Sequence, residues 1–304
     1  MSRKTIYKLV IFFLFAFVLD RVYGYFAKYL AEHPNGGELY LDKFICDSTT
    51  ADVLIFGSSK AQNQYNPQII EDTLGMSVFN CGRHGMGMIY HYGRWKIISQ
   101  RYIPKVLIFE TLPIVDYMVR DDNSIFINPL RLYYGKIEGI DSLFWEIDPT
   151  EKYKMLSKTY QYHTLFDYIS SYQQKEWLKN GYVEPGDQVL DPKTIIPQDV
   201  VYELDSVKWR IAEKFVAEVS SKTTVIFVVS PMYSFHEDYG GLYHIKKLCK
   251  KYNVAFIDHF CDPDFVDNPN LYIDMAHFNK NGSVKWSKLI ASELKKILSG
   301  LSYE

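Results

Sequence analysis

Short apolar runs bounded by turn residues alternate along the chain with stretches whose apolar residues recur every three or four positions. The apolar runs predict buried strands, and the amphipathic stretches predict helices that cover them. This alternation is typical of a parallel sheet with helices on both faces. The predicted strands are Asp52–Gly57, Ser77–Asn80, Val106–Glu110, Thr224–Ser230 and Ala255–Asp258, and the predicted helices are Gln68–Leu74, Ile89–Arg101, Ser206–Ser220, Tyr243–Tyr252 and Gly282–Leu298.

The N-terminus carries a membrane-topology signal. Basic residues precede the apolar run Leu9–Leu19, and Asp20-Arg21 interrupts it before the apolar pattern resumes. The run is short for a membrane span, which needs about 20 residues, and it matches a secretory signal with a cleavage site at Val22-Tyr-Gly24. The resumed pattern favours an uncleaved signal anchor over residues 1–31; a buried helix is the remaining alternative. Both export interpretations place the remainder outside the cytoplasm, because the positive flank stays inside.

Between Pro113 and about Val201 the pattern changes, and Tyr, Trp and Phe become frequent. We interpret this region, about residues 114–200, as a mostly helical insertion within one domain of residues 32–304. It joins the third strand to the helix before the fourth, and in an open parallel sheet that junction lies beside the ligand crevice. The insertion is therefore expected to form a lid or wall. The 25 Tyr and 19 Phe of the chain are expected in the core and on half-buried surface, with stacking surfaces for sugar rings as the alternative.

Composition excludes several functional classes. The 304 residues are 47% hydrophobic, enough for a substantial core. The net charge is -2 and the basic residues are dispersed, which argues against nucleic-acid binding. The four cysteines have no zinc-ligand spacing, so neither a metal nor a cofactor is predicted. In an exported chain Cys249 and Cys261 are candidates for a disulfide, and four thiols are the alternative.

Two separated segments carry candidate chemistry. Gly57-Ser58-Ser59 closes the first predicted strand, which would leave a serine at the carboxyl edge of the sheet. Asp274 precedes His277 by three residues, just before the last predicted helix. A carboxylate that holds an imidazole, and an imidazole that accepts a serine proton, form the hydrogen-bond chain of serine hydrolases. The sequence therefore predicts that these residues meet.

These motifs, together with Asn80-Cys-Gly-Arg-His-Gly85, resemble the blocks of the SGNH (GDSL-like) hydrolases in order and in position on the elements. The resemblance covers about residues 50–112 and 222–300. It is closest to membrane-anchored envelope members in which Gly-Ser-Ser replaces Gly-Asp-Ser, such as the D-alanyl transfer protein of teichoic acid and alginate-acetylation proteins. It implies a three-layer α/β/α, flavodoxin-like domain of about five parallel strands.

The resemblance assigns a role to each motif residue. Ser59 would be the nucleophile, His277 the general base and then acid, and Asp274 the residue that orients the imidazole. Ser58, in place of the family's Asp, is expected to stabilise the turn at a helix start with its hydroxyl.

The second block would supply part of an oxyanion hole. Its Gly85 aligns with the glycine whose N–H joins that of Ser59, although a plain turn would use the same glycine. Arg83 and His84 are candidates for substrate contacts, with a solvated loop as the alternative.

The third block departs from the family, because no Asn follows the strand that ends at Glu110. Thr111 could contribute a hydroxyl, and Glu110 is expected to pair with a neighbouring Arg or Lys. The loss of one oxyanion donor typically costs ~3 kcal/mol of transition-state stabilisation.

Two functional hypotheses follow. The first is an exported, membrane-tethered serine esterase or O-acyltransferase whose partner is an acylated cell-envelope glycan. The second is a non-catalytic envelope binding or assembly protein with the same fold. A nucleotide binder is disfavoured, because Gly57-Ser-Ser-Lys60 has neither dinucleotide-binding nor Walker spacing. Protein partners are not predicted.

Overall fold

The computed structural model of the chain describes residues 1–119, 122–175, 180–195, 203–234 and 241–301. Its strands are β1 (Val53–Gly57), β2 (Val78–Asn80), β3 (Val106–Glu110), β4 (Thr224–Val229) and β5 (Ala255–Asp258). They form one sheet in the order β2-β1-β3-β4-β5, and all four neighbouring pairs are parallel. This confirms the predicted α/β class and the flavodoxin-like order.

Helices and short 3-10 turns connect the strands. The five helices predicted from periodicity are present, whereas the helices Gly37–Asp47 and Ser59–Gln64 were not predicted. The helices are α1 (Arg3–Glu32), α2 (Gly37–Asp47), α3 (Ser59–Gln64), α4 (Pro67–Leu74), α5 (Met88–Ile98), α6 (Pro113–Asp116), α7 (Ile140–Ile147), α8 (Glu151–Lys154), α9 (Lys158–Gln161), α10 (Leu165–Gln173), α11 (Ser206–Ser220), α12 (Tyr243–Lys251) and α13 (Lys280–Leu301).

The sheet separates two hydrophobic cores. Successive strand residues point to opposite faces, so Val53 and Ile55 join a core with α3, α4 and α13. Leu54 and Phe56 face a larger core built with α5, α11 and α12. Together the layers form the predicted α/β/α sandwich.

The helical insertion lies mainly on the α5 side of the sheet, where it also contacts α1 and α2. Many of its aromatic residues, including Phe126, Phe144 and Tyr168, belong to the larger core. Residues 180–190 instead return to the carboxyl edge, where the N–H of Val183 donates to Gln62 O at 3.1 Å. Positions 120–121, 176–179 and 196–200 of the predicted insertion lie outside the described residues.

Among the described residues, α1 is the one helix long and apolar enough to cross a membrane. Residues 3–19 of this helix are exposed, whereas Gly24, Ala27, Leu30 and Ala31 are buried against the domain. The helix therefore has an unpartnered apolar half and a half that belongs to the fold. The predicted disulfide alternative is wrong in this structure, since Cys249 and Cys261 are not joined.

Candidate active site

The site is built on the carboxyl end of β1. Gly57 has a φ of 142°, which favours glycine. A Cβ at this position would lie 2.6 Å from Glu110 O and 2.9 Å from the Ala61 side chain. His91 of α5 holds the same turn from behind, with Nε2 at 2.9 Å from Gly57 O. This close packing lets the chain turn sharply from β1 into α3, whose first residue is Ser59.

Ser59, His277 and Asp274 are brought together in one hydrogen-bonded chain. Ser59 Oγ lies 2.7 Å from His277 Nε2. On the other side of the ring, Nδ1 lies 2.9 Å and 3.0 Å from the two oxygens of Asp274. An ionised carboxylate only accepts hydrogen bonds, so Nδ1 carries the hydrogen and Nε2 is left to accept the Ser59 proton. The arrangement suits proton transfer from the serine hydroxyl.

Asp274 also shapes the loop that presents His277. Its Oδ1 accepts the N–H groups of Ala276 and His277, both at 2.8 Å. Burial opposes ionisation of Asp274, but the hydrogen bonds from His277 and from these N–H groups outweigh it and hold the pKa of the carboxyl below its ordinary value. Asp274 is therefore ionised at neutral pH, as an acceptor for Nδ1 must be.

The second block forms a loop pressed against α3. Asn80 fixes its start, donating from Nδ2 to Ala61 O at 2.7 Å and to Tyr65 O at 2.9 Å. Gly82 follows, and a Cβ there would lie 2.3 Å from Gln62 N. At the loop's apex Gly85 has a φ of 71°, with open space around its Cα. Glycine is thus required at Gly85 by backbone conformation rather than by a close neighbour.

The N–H of Ser59 is the predicted partner of the Gly85 N–H in an oxyanion hole, and that role stays a prediction. As the first residue of α3, Ser59 has no carbonyl within its own helix to accept its N–H. Ser58 occupies the N-cap position, but its hydroxyl makes no capping bond, and its buried oxygen has no partner in the structure. The expected turn-stabilising role of the Ser58 hydroxyl is therefore wrong.

In the third block, the carboxylate of Asp116 holds the turn that follows β3. Thr111 is fully buried and donates its hydroxyl to Asp116 at 3.0 Å. Asp116 also accepts the N–H of Leu112 at 2.7 Å and that of Met88 at 3.1 Å. The carboxylate thus fastens the turn after β3 to the start of α5. Burial raises the pKa of Asp116 to about 7 against these hydrogen bonds.

The two candidate substrate residues differ in their surroundings. His84 is exposed on the loop, where its backbone N–H donates to Gln62 Oε1 at 3.2 Å. Arg83 turns toward α2, where it pairs with Asp42 and, at 3.1 Å, with Glu38. A substrate role for either residue stays a prediction.

A cavity of about 360 Å³ lies beside Arg83, between α2 and α10, and its lining includes neither Ser59 nor His277. The hydrogen-bonded chain of Ser59, His277 and Asp274 joins a nucleophile to a base, and none of the described residues that line this cavity does so.

Sequence reasoning missed a buried polar network beneath Ser59. Lys60 donates to Ser230 O at 2.8 Å, and its Nζ lies 3.6 Å from Glu110. This is the cationic partner expected for Glu110. Burial raises the pKa of Glu110 and lowers that of Lys60, and their ion pair opposes both shifts. Gln64 donates to Ala276 O at 3.0 Å, one residue before His277.

The sequence held one signal of this network. The segment Ser59-Lys-Ala-Gln-Asn-Gln64 is almost wholly polar, directly after an apolar strand, yet five of its six residues are buried. Buried polar side chains need hydrogen-bond partners. A short polar helix beside a nucleophile therefore indicates bonds to other loops of the site.

No family model and no curated protein matches the chain. Solved structures similar to it include an acetylxylan esterase mutant from Geobacillus stearothermophilus, with 12% identity, a TM-score of 0.39 and coverage of 79% of this chain and 92% of that one. A putative GDSL-like lipase from Parabacteroides merdae shows 12% identity, a TM-score of 0.40 and coverage of 80% and 94%. A two-domain esterase active on acetylated mannans shows 12% identity, a TM-score of 0.38 and coverage of 87% and 56%. At these values the function must be inferred from the geometry of the site.

Proposed function

We propose that the chain is an exported, membrane-tethered serine esterase or O-acyltransferase that acts on acyl esters of cell-envelope glycans. The observation that carries the proposal is the chain of hydrogen bonds from Ser59 Oγ through His277 to Asp274. Nucleophile, base and orienting carboxylate come from opposite ends of the sequence, and such convergence of three complementary groups is the geometric signature of a triad.

The proposed reaction has two halves. Ser59 Oγ attacks the ester carbonyl while its proton moves to His277 Nε2, and the N–H groups of Ser59 and Gly85 stabilise the oxyanion. The tetrahedral intermediate collapses to an acyl-enzyme as Nε2 returns the proton to the leaving sugar oxygen. Water, activated by the same imidazole, then releases the acid. A sugar hydroxyl in place of water gives O-acyl transfer.

The substrate class follows from tethering. The exposed apolar half of α1 supports a membrane anchor, and the basic residues ahead of it favour an extracytoplasmic domain. An enzyme tethered to the extracytoplasmic surface of a membrane encounters envelope polymers, whose acyl groups are esters on sugar hydroxyls.

A fluorophosphonate probe tests the proposal, because it reacts covalently with an activated serine. We expect the full chain to be labelled and Ser59→Ala not to be labelled. Ser58→Ala is the matched control, since its buried hydroxyl has no partner, and it should be labelled like the wild type. Hydrolysis of a chromogenic acetyl ester should follow the same pattern, and analysis of an added glycan acceptor separates transfer from hydrolysis.

A second candidate function has one specific observation in its favour. The Thr111 hydroxyl is engaged by Asp116, so the third block offers no side-chain donor like the family's Asn. A well-folded wild-type chain that is neither labelled nor able to hydrolyse acetyl esters would identify a non-catalytic envelope binding protein instead.

A further inference from the structure

The exposed apolar surface of α1 continues onto the insertion. Where α1 meets the domain, the insertion presents Leu156 and Tyr153, whose exposures are 66% and 65%. Arg21 of α1 donates to Leu156 O at 2.7 Å, which places Leu156 beside the helix at that level. We call residues 153–159 the insertion corner.

The two charged residues that interrupt the apolar run of α1 both bond to this corner, although the buried Nε of Arg21 has no hydrogen-bond partner among the described residues. Asp20 accepts the N–H groups of Lys158 at 2.9 Å and Thr159 at 2.8 Å, so it caps α9 from another helix. Arg21 bonds to Leu156 O and lies 3.6 Å from Asp20. Ionisable groups near lipid are tolerated when they are paired within the protein. Neither residue therefore has to mark the end of the membrane span.

The backbone N–H groups of the insertion corner also have acceptors within the protein. The N–H of Leu156 donates to Tyr153 O and that of Ser157 to Lys154 O, both at 3.1 Å. Non-helical backbone can lie at membrane depth only where its polar groups bond within the protein. The backbone N–H groups of the insertion corner meet that requirement, because each of them donates to an acceptor within the protein.

The length of α1 also places the outer membrane–water interface at the level of the insertion corner. Leu9–Leu19 alone extends about 16 Å at ~1.5 Å per residue, about half of a hydrocarbon core of ~30 Å. A span from Ile6 to Tyr25 extends about 30 Å. It ends at exposed Tyr25 and Phe26, where a belt of interfacial aromatic residues is expected.

We propose that the insertion corner is immersed in the outer interface of a lipid bilayer, with Leu156 and Tyr153 in contact with acyl chains. The inference rests on the proposed tethering. A bilayer is the occupant because the corner is continuous with the apolar surface of α1. Lys152 precedes Tyr153 and can reach the headgroups, whereas Lys154 is paired with Asp148 at 2.6 Å. Both α1 and the insertion corner then contact the membrane, and these two contacts fix the orientation of the site relative to the bilayer.

Site-directed spin labelling of the full chain tests this contact between the insertion corner and the bilayer. The background is Cys261→Ser, because the other three cysteines are buried. Labels at Leu156→Cys and Tyr153→Cys are compared in vesicles of phosphatidylcholine and phosphatidylglycerol with Leu14→Cys in α1. Val189→Cys, at a residue exposed on the domain, is the aqueous control. We expect the ratio of oxygen to nickel-chelate accessibility at Leu156 and Tyr153 to exceed that at Val189 severalfold and to approach that at Leu14.

The contrary outcomes are distinct. Ratios at Leu156 and Tyr153 equal to that at Val189, with Leu14 in lipid, would overturn the proposed contact and leave the tether intact. Low accessibility to both reagents would show that protein, such as a second copy, covers the corner, and would also overturn it. An aqueous ratio at Leu14 would overturn the tether and the contact together, without bearing on esterase activity.

Discussion

Thr111 gives its hydroxyl to Asp116, so the proposed oxyanion hole depends on the N–H groups of Ser59 and Gly85. A missing donor typically costs ~3 kcal/mol, roughly 10²-fold in rate. The proposed enzyme would therefore be slower than a family member with the full set of donors. The same carboxylate bonds to Met88 N and Leu112 N. Asp116 thus joins the second block to the third block, and its bonds are made to the protein rather than to the substrate.

His259 provides a residue-scale test of the electrostatics away from the triad. Its Nδ1 lies 2.7 Å from Asp262 and its Nε2 lies 3.0 Å from Glu293 of α13. Burial opposes protonation, but the two carboxylates outweigh it and raise the pKa of His259 above 6.5. A raised pKa adds stability that is fully present below the unfolded value of 6.5 and is lost as the pH rises through the folded value.

We therefore predict that His259→Gln lowers the thermal unfolding midpoint more at pH 5.5 than at pH 9. The difference in unfolding midpoint between variant and wild type is expected to narrow steadily from pH 5.5 to pH 9, as measured by circular dichroism. Glu293→Gln should flatten the pH dependence in the wild-type background without abolishing it, because Asp262 remains. A gap that is independent of pH would contradict the assigned ion pairs.

At the scale of elements, α3 links the other parts of the site. Gln62 bonds to the second-block loop, Gln64 to the loop of His277, and Lys60 to the ends of β3 and β4. The strand ends were predictable from sequence because buried parallel strands are apolar runs. The helix was not predicted, because its polar residues acquire their partners through contacts with segments 22 to 212 residues away in the sequence, and periodicity reports none of these.

Lys60 should therefore matter for stability more than a surface lysine does. Its side chain is 1% exposed and that of Glu110 is fully buried, so Lys60→Met leaves a buried carboxylate without its cation. Loss of one partner of a buried pair typically costs about 3–5 kcal/mol of unfolding free energy. The double variant Lys60→Met with Glu110→Gln removes the unpaired charge and should recover part of that loss. Denaturant titration measures both values, and equal losses would refute the ion-pair account.

At the scale of the whole molecule, the sequence predicted the order of the strands and the meeting of Ser59 with His277 more completely than the role of α1. Sequence order and turn chemistry constrain which strand ends share an edge. The partner of Asp20 could not be predicted in that way. Its contacts with Ser157, Lys158 and Thr159 depend on where the insertion packs, and the apolar pattern that favours an anchor over residues 1–31 does not report that packing.

Two truncations separate an anchor that is part of the fold from a cleavable signal. Deletion of residues 1–19 keeps Asp20 as the cap of α9 and Gly24, where a Cβ would lie 2.3 Å from Lys158. Deletion of residues 1–24, the product of cleavage after Gly24, removes both. Loss of the cap alone typically costs ~1 kcal/mol, and the lost packing adds to it. We expect the longer deletion to unfold at a lower temperature and to be cleaved faster by protease near the insertion corner. Equal stability of the two truncated chains would show that the base of α1 is dispensable to the fold, and would favour the cleaved signal.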